Sequence, residues 1–132
     1  MKKFLNLILL VSLFLVSACT NGKTQSLETF YKDAKIESID KAVIQDGSTG
    51  ASKTITTLEQ INEFVSLIKG TQFTPQDNQE KRVGWKYGIT LFDREKEFKF
   101  TLSEIDNTYY DSNPDIYPIV DNYYKQLEVL EE

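Results

Sequence analysis

Residues 83–92, VGWKYGITLF, decide the fold, because large apolar side chains occupy every second position of this stretch. Alternate side chains of a β-strand point to the same face of its sheet. The positions that share this face are Val83, Trp85, Tyr87, Ile89 and Leu91. One apolar and one polar face are typical of an antiparallel sheet that packs on the core with one face and exposes the other to solvent. The stretch therefore predicts a long strand that places Trp85 and Tyr87 in the core.

The sequence on both sides of this strand supplies its expected neighbours. Residues 97–102, EFKFTL, follow a charged turn and put Phe98 and Phe100 on one side. Shorter strands are predicted at 71–74 and 105–110.

Upstream, residues 36–45 and 51–56 flank the turn sequence DGSTG at 46–50. Asp-Gly is a strong turn signal, so these segments predict a hairpin. Residues 27–35, LETFYKDAK, fit either a short helix or an extension of the polar segment that precedes them.

Two helices are predicted. Thr57 and Gln60 match a capping box, and an apolar stripe follows over about residues 58–69. The stripe consists of Leu58, Ile61, Phe64, Val65 and Ile68. A last helix is expected from about Pro118, since proline suits a first helical turn. Its expected buried residues are Ile119, Tyr123, Leu127 and Leu130.

These elements predict a single α+β domain at residues 36–132. Its core is expected to be an antiparallel sheet of four or five strands with two helices packed on one face. Residues 19–35 are assigned to a tether that precedes the domain.

The N-terminal segment has the pattern of an export signal. In residues 1–18 two lysines precede an apolar run at 4–16, which then ends in small residues. The run is well short of the roughly 20 apolar residues that a spanning helix needs. Hydropathy alone leaves an ordinary secretory signal and an uncleaved anchor as alternatives.

The residues Val16-Ser17-Ala18-Cys19 resemble the lipobox of bacterial lipoprotein precursors, in which an aliphatic and two small residues precede a cysteine. This resemblance implies cleavage between Ala18 and Cys19 and transfer of a diacylglycerol to the Cys19 thiol. Two acyl chains anchor a protein durably, whereas one is marginal. The expected partner of Cys19 is therefore the membrane.

The lipobox is compatible with two cellular locations. Thr20 rather than Asp follows Cys19, so the inner-membrane retention signal of Gram-negative lipoproteins is absent. The outer face of a Gram-positive cell membrane is favoured, and a Gram-negative outer membrane is the alternative. In layout the chain also resembles several small lipoproteins of low-GC Gram-positive bacteria, a likeness that carries no motif and no site.

Composition excludes several chemistries. The chain has no His and one Cys, so His-dependent triads, His-containing zinc sites and an internal disulfide are ruled out. The net charge is −5, and loss of residues 1–18 with their two lysines would make it −7. Such a field repels nucleic acid, which is therefore not an expected partner.

No motif for a cofactor or a metal is found. Residues 111–115, DSNPD, begin like a calcium loop, but the Gly and Glu that an EF-hand needs are replaced by Ile116 and Asn122. A turn followed by a helix cap is the favoured interpretation. The acids between Asp93 and Asp106 alternate with Lys and Arg, as solvated turns do, and no catalytic residue is assigned.

The aromatic residues are the remaining candidates, because several of them, including Trp85 and Tyr117, could line a ligand groove or a partner surface. Trp85, Tyr87, Phe98 and Phe100 are expected in the core. Tyr110 and Tyr124 each adjoin another Tyr and cannot share its face, so both are expected to be exposed as a candidate partner contact.

The function that these observations favour is a non-catalytic binding or accessory protein, lipid-anchored outside the cytoplasm, with an envelope protein or ligand as its partner. One alternative is an immunity or inhibitor protein that neutralises a basic toxin or enzyme. Another is a hydrolase that works with carboxylates alone, which needs two acids across a cleft.

Overall fold

The computed structural model describes residues 23–127, so the predictions for the export signal, the lipobox and Leu130 lie outside the described residues. The described part of the chain forms three helices and eight strands. In chain order they are β1 (Gln25–Ser26), α1 (Leu27–Asp33), β2 (Lys41–Asp46), β3 (Ser52–Ile55), α2 (Leu58–Ile68), β4 (Gln72–Pro75), β5 (Tyr87–Asp93), β6 (Lys96–Thr101), β7 (Glu104–Ile105), β8 (Thr108–Asn113) and α3 (Ile116–Gln126).

The strands make two antiparallel sheets of four strands each. The first sheet has the order β3-β2-β5-β6, and the second has the order β1-β4-β8-β7. The predicted α+β class with antiparallel pairing is confirmed, and the predicted single sheet of four or five strands is corrected to two sheets. The reason is that β4 pairs with β1 and β8 and with no strand of the first sheet.

The central strand of the first sheet confirms much of the alternating pattern. Tyr87 is 5 % exposed and Ile89 and Leu91 are fully buried, and Phe98 and Phe100 of β6 are buried beside them. Val83 and Trp85 are the exceptions, because β5 begins at Tyr87. Val83 is fully exposed and Trp85 is 42 % exposed, so the predicted place of Trp85 in the core is wrong.

The two predicted helices are both present and lie side by side. The rings of Phe64 on α2 and Tyr123 on α3 are 4.9 Å apart, and the Tyr123 hydroxyl donates to the carbonyl of Gln60 at 3.2 Å. On its other side α3 packs on the first sheet, where the rings of Tyr124 and Tyr87 are 5.2 Å apart. The finer prediction that both helices cover one face of one sheet is not confirmed.

The cap of α2 is the one that the sequence predicts. The Thr57 hydroxyl accepts from the Gln60 N–H at 3.3 Å and pairs with the Gln60 side chain at 3.0 Å. Leu58 is 70 % exposed, so it does not belong to the buried stripe. Leu58 is the first residue of the helix, and the buried residues of α2 begin at Ile61.

The last helix begins at Ile116, two residues before Pro118. Its cap is Asp115, whose carboxylate accepts from the Tyr117 N–H at 3.2 Å. The turn-and-cap interpretation of residues 111–115 is therefore confirmed at Asp115, although β8 continues through Asn113.

Residues 25–33 pack as part of the domain, so the helix is the correct alternative for residues 27–35. The Ser26 side chain caps α1 by accepting from the Thr29 N–H, and Leu27 and Tyr31 are buried one helical turn apart. Because β1 also pairs with β4, the packed structure begins about ten residues earlier than the predicted boundary at residue 36.

Asp93 corrects the expectation of a solvated turn after β5. It is 1 % exposed, and its carboxylate accepts from the backbone N–H groups of Glu37 and Ser38 at 2.9 and 3.1 Å. These bonds lower the pKa of Asp93, because they favour its charged form. Asp93 therefore fixes the segment that leads from α1 into β2.

Candidate functional site

A long connection between the two sheets builds the candidate site. Residues 76–86 contain no helix or strand, but their first part is tied to Tyr109 on β8. The Gln79 side chain accepts from the Tyr109 N–H at 2.8 Å and donates to the Tyr109 carbonyl at 2.9 Å, as a neighbouring strand would. The Arg82 N–H donates to the Tyr109 hydroxyl at 2.9 Å, and its guanidinium lies 4.5 Å from the ring centre. The connection is thus fixed to the second sheet.

The last part of the connection places Trp85 on the backbone of the first sheet. A methyl group at Gly88 would lie 3.3 Å from Cζ3 of Trp85 and 3.6 Å from Cη2, and one at Gly47 would collide with the Trp85 carbonyl oxygen. The Gly47 N–H also donates to the Lys86 carbonyl at 2.7 Å. The two glycines allow the indole to lie against the sheet with no side chain between them.

Trp85 and its neighbours line a cleft of about 570 Å³. This volume is within the range of small-molecule sites, about 300–1,000 Å³. The walls come from the 76–86 connection, the turn between β6 and β7, the end of β8 and the first turn of α3. The aromatic and charged residues of the lining are the ones best suited to contact a ligand. They are Trp85, Lys86, Tyr110, Asp111, Asp115 and Tyr117.

The cleft carries two carboxylates that are only partly engaged. Asp111 Oδ1 accepts from the Gln76 amide at 3.1 Å, and Asp115 Oδ1 accepts from the Tyr117 N–H at 3.2 Å. Both side chains are exposed, and within residues 23–127 neither forms an ion pair. Each therefore keeps a second oxygen that can accept a hydrogen bond from a ligand.

A partly buried network of side chains supports the aromatic wall. The Tyr87 hydroxyl donates to Asp121 at 2.7 Å, and Lys125 pairs with the same carboxylate at 3.0 Å. Burial, and then the hydrogen bond to Asp121, raise the pKa of Tyr87, while the bonds from Tyr87 and Lys125 lower the pKa of Asp121. Tyr117 lies beside this network, with its ring 6.1 Å from that of Tyr87.

The structure separates the two tyrosines that the sequence groups as a candidate contact. Tyr110 is half-buried, packs edge-on against Phe30 at 5.4 Å, and lines the cleft. Tyr124 is 8 % exposed, packs on Tyr87, and lies under the Lys53 ammonium at 4.2 Å. The expected exposure is therefore wrong for Tyr124, because α3 turns that residue onto the sheet. Ala18 and Cys19 lie outside the described residues.

Sequence reasoning favoured the core for Trp85 and did not single out Tyr117 as a contact residue. A signal for Trp85 was present, since Gly84 and Gly88 flank it and glycine inside a strand pattern marks a bend or a close backbone approach. Gly84 has a φ of +88°, a left-handed conformation in which a strand does not continue. Tyr117 carried no signal, because its exposure depends on where α3 begins.

The described residues hold no group of three or more His, Cys, Asp or Glu side chains placed to bind a metal ion. Among the helices of residues 23–127, none combines the length and the apolar character needed to cross a membrane.

The chain matches no protein-family model, and no curated protein or solved structure shows significant similarity to it.

Proposed function

We propose that this chain is a non-catalytic binding protein of the bacterial cell envelope, held outside the cytoplasm by a lipid on Cys19. The anchor rests on the lipobox at residues 16–19 and on the short apolar segment before it. The binding role is supported by one observation above all, a cleft lined by Trp85 and by two exposed, partly engaged carboxylates.

The early start of the fold gives the proposed anchor a consequence. Only five residues separate Cys19 from Gln25, where β1 begins. Fully extended, this linker reaches at most about 20 Å. The domain would therefore stay close to the bilayer, and its ligand would be found in the layer of the envelope next to the membrane.

The accessibility of the two carboxylates supports a binding role. Asp111 and Asp115 are both exposed, so a ligand in the cleft can reach them.

The anchor is tested by replacing the proposed lipid acceptor. The Cys19→Ser chain is expected to leave the membrane fraction of its host, whereas a Thr20→Ser control that keeps the cysteine stays there. Mass spectrometry of the wild-type protein should show an acylated Cys19 as its first residue. A Cys19→Ser chain that still sediments with membranes at high salt would overturn the anchor.

The binding role is tested by crosslinking in the host. A photoreactive benzoylphenylalanine in place of Tyr117, which is 39 % exposed in the cleft, is expected to give a discrete adduct on illumination. The matched control carries the same group in place of Leu58, which is 70 % exposed on α2 and away from the cleft lining. Equal labelling at both positions would contradict a binding role for the cleft.

A second candidate, an immunity or inhibitor protein, is favoured by the net charge of −7 expected for the mature chain. A basic partner would be attracted by this field. In the same experiment this candidate predicts an adduct with one basic protein, which is lost when salt is raised before illumination.

A further inference from the structure

The cleft combines one flat apolar surface with hydrogen-bond acceptors at its side. The six-membered ring of Trp85 is held against Gly88, and 42 % of the side chain remains exposed. A ring fixed in this way loses little conformational freedom when a ligand covers it. Tyr117 adds a second exposed aromatic surface to the same cleft.

The polar groups of the cleft favour a ligand that donates hydrogen bonds. Among the residues that the structure describes, Asp111 and Asp115 each have an oxygen without a hydrogen-bond partner, and a carboxylate only accepts. Hydrogen bonds to a charged acceptor are about twice as strong as neutral ones. Hydroxyl groups on a ligand would satisfy both carboxylates without bringing in a charge.

We propose that this cleft binds a neutral oligosaccharide, with the C–H face of one pyranose ring stacked on Trp85 and ring hydroxyls donating to Asp111 and Asp115. A pyranose ring has a flat face of C–H groups and a rim of hydroxyls, which matches both features of the cleft. The C–H groups carry slight positive charge and so complement the negative face of the indole. This assignment rests on the proposed binding function and names its ligand class.

A cationic ligand fits the cleft less well. An ammonium group is attracted to indole and to carboxylates. However, Lys86 is part of the same lining and offsets the charge of one of the two carboxylates. The volume of about 570 Å³ is also far more than a single ammonium group fills, whereas it accommodates several linked rings.

The experiment uses the fact that Trp85 is the only tryptophan of the whole chain. The full chain is purified in a detergent without a sugar headgroup and titrated with neutral tetrasaccharides of glucose, N-acetylglucosamine, galactose and mannose, up to about 10 mM. We expect at least one of them to change the Trp85 emission saturably, with half-saturation below about 1 mM. No saturable response to any of the four would overturn the proposal.

Variants then connect the response to the cleft, with calorimetry as a readout that does not need tryptophan. Asp111→Asn keeps the shape of the side chain but removes its charge, and it is expected to weaken binding about tenfold. Trp85→Ala is expected to abolish binding, and Leu58→Ala, which lies outside the cleft lining, to leave it unchanged. Equal affinity for Trp85→Ala and the wild type would overturn the stacking geometry.

Three further outcomes separate this inference from the function on which it rests. Saturation by choline or tetralysine, with none by the sugars, would replace the oligosaccharide by a cation and leave the binding role in place. Shortened sugars in the titration mixture would show hydrolysis and contradict the non-catalytic role. A chain that binds sugar but is not acylated would overturn the anchor alone.

Discussion

The two halves of residues 83–92 share one alternating pattern but differ in secondary structure and in burial. From Tyr87 onward the pattern is strand β5, and its alternate side chains are almost fully buried. From Val83 to Lys86 the chain is not a strand, Val83 is fully exposed, and Trp85 faces a cleft. The pattern is continuous across Lys86, but the structure is not.

The difference comes from the partner strand and not from the sequence of the stretch itself. β2 pairs with β5 up to the register Asp46 with Tyr87, and at Gly47 the chain turns away into β3. A strand needs a neighbour for its backbone groups. Among residues 23–127, the backbone of residues 83–86 has only the single bond from Gly47 to Lys86. Alternation therefore says which side chains share a face, while pairing decides how far the strand extends.

The largest expected difference between the two halves is in stability. Leu91→Ala should lower the free energy of unfolding by about 2–5 kcal/mol, because it leaves a cavity in a fully buried site. Val83→Ala should change it by less than about 0.5 kcal/mol, because Val83 is fully exposed. Urea denaturation measures both. Similar losses for the two variants would break the comparison.

The close contact between Gly47 and Trp85 gives the next largest expected effect on stability. Gly47→Ala puts a methyl group onto the Trp85 carbonyl, so the connection must shift, at a cost of about 1–3 kcal/mol. Gly70→Ala is the matched control, because nothing lies within 4 Å of its added methyl group. Near-ultraviolet circular dichroism of Trp85 should change in the first variant only. An unchanged spectrum in Gly47→Ala would mean that the glycine does not position the indole.

The network beneath the cleft predicts a smaller, pH-dependent effect. Tyr87→Phe removes the hydrogen bond to Asp121 and should cost about 1 kcal/mol near neutral pH. Because the pKa of Tyr87 is raised in the folded protein, its contribution is present below the unfolded value of about 10 and lost as pH rises above it. The wild type should therefore lose its advantage over the variant above about pH 10. Thermal unfolding across this range is the measurement, and a constant difference would contradict the coupling.

The last comparison sets the effect of Trp85 on stability against its effect on binding. Trp85→Ala should lower the free energy of unfolding by about 1–2 kcal/mol, less than Leu91→Ala does, since Trp85 is 42 % exposed and outside every strand. The same change is expected to abolish ligand binding. Urea denaturation beside calorimetric titration gives both numbers. A loss as large as that of Leu91→Ala would show that Trp85 is a core residue after all.

Local sequence patterns correctly predicted the features that depend on residues close together in the chain. The Thr57–Gln60 cap, the hairpin around residues 46–50 and the burial of Phe98 and Phe100 are of this kind. The start of α3 was placed two residues late, because the Asp115 cap competes with Pro118 as a start signal. The sequence did not assemble the candidate site, because its walls come from separate segments spread over residues 76–117.

By itself the sequence determined the α+β class, the antiparallel pairing, and the composition that excludes His-dependent chemistry, because these depend on residue type and short-range periodicity. Only the tertiary structure decided that the strands divide into two sheets, that Tyr124 is buried and that Trp85 is exposed in a cleft. Those outcomes depend on which distant segment pairs with which. A side chain's environment is set by residues far away in the chain, such as Gly47 beneath Trp85, and no local pattern records them.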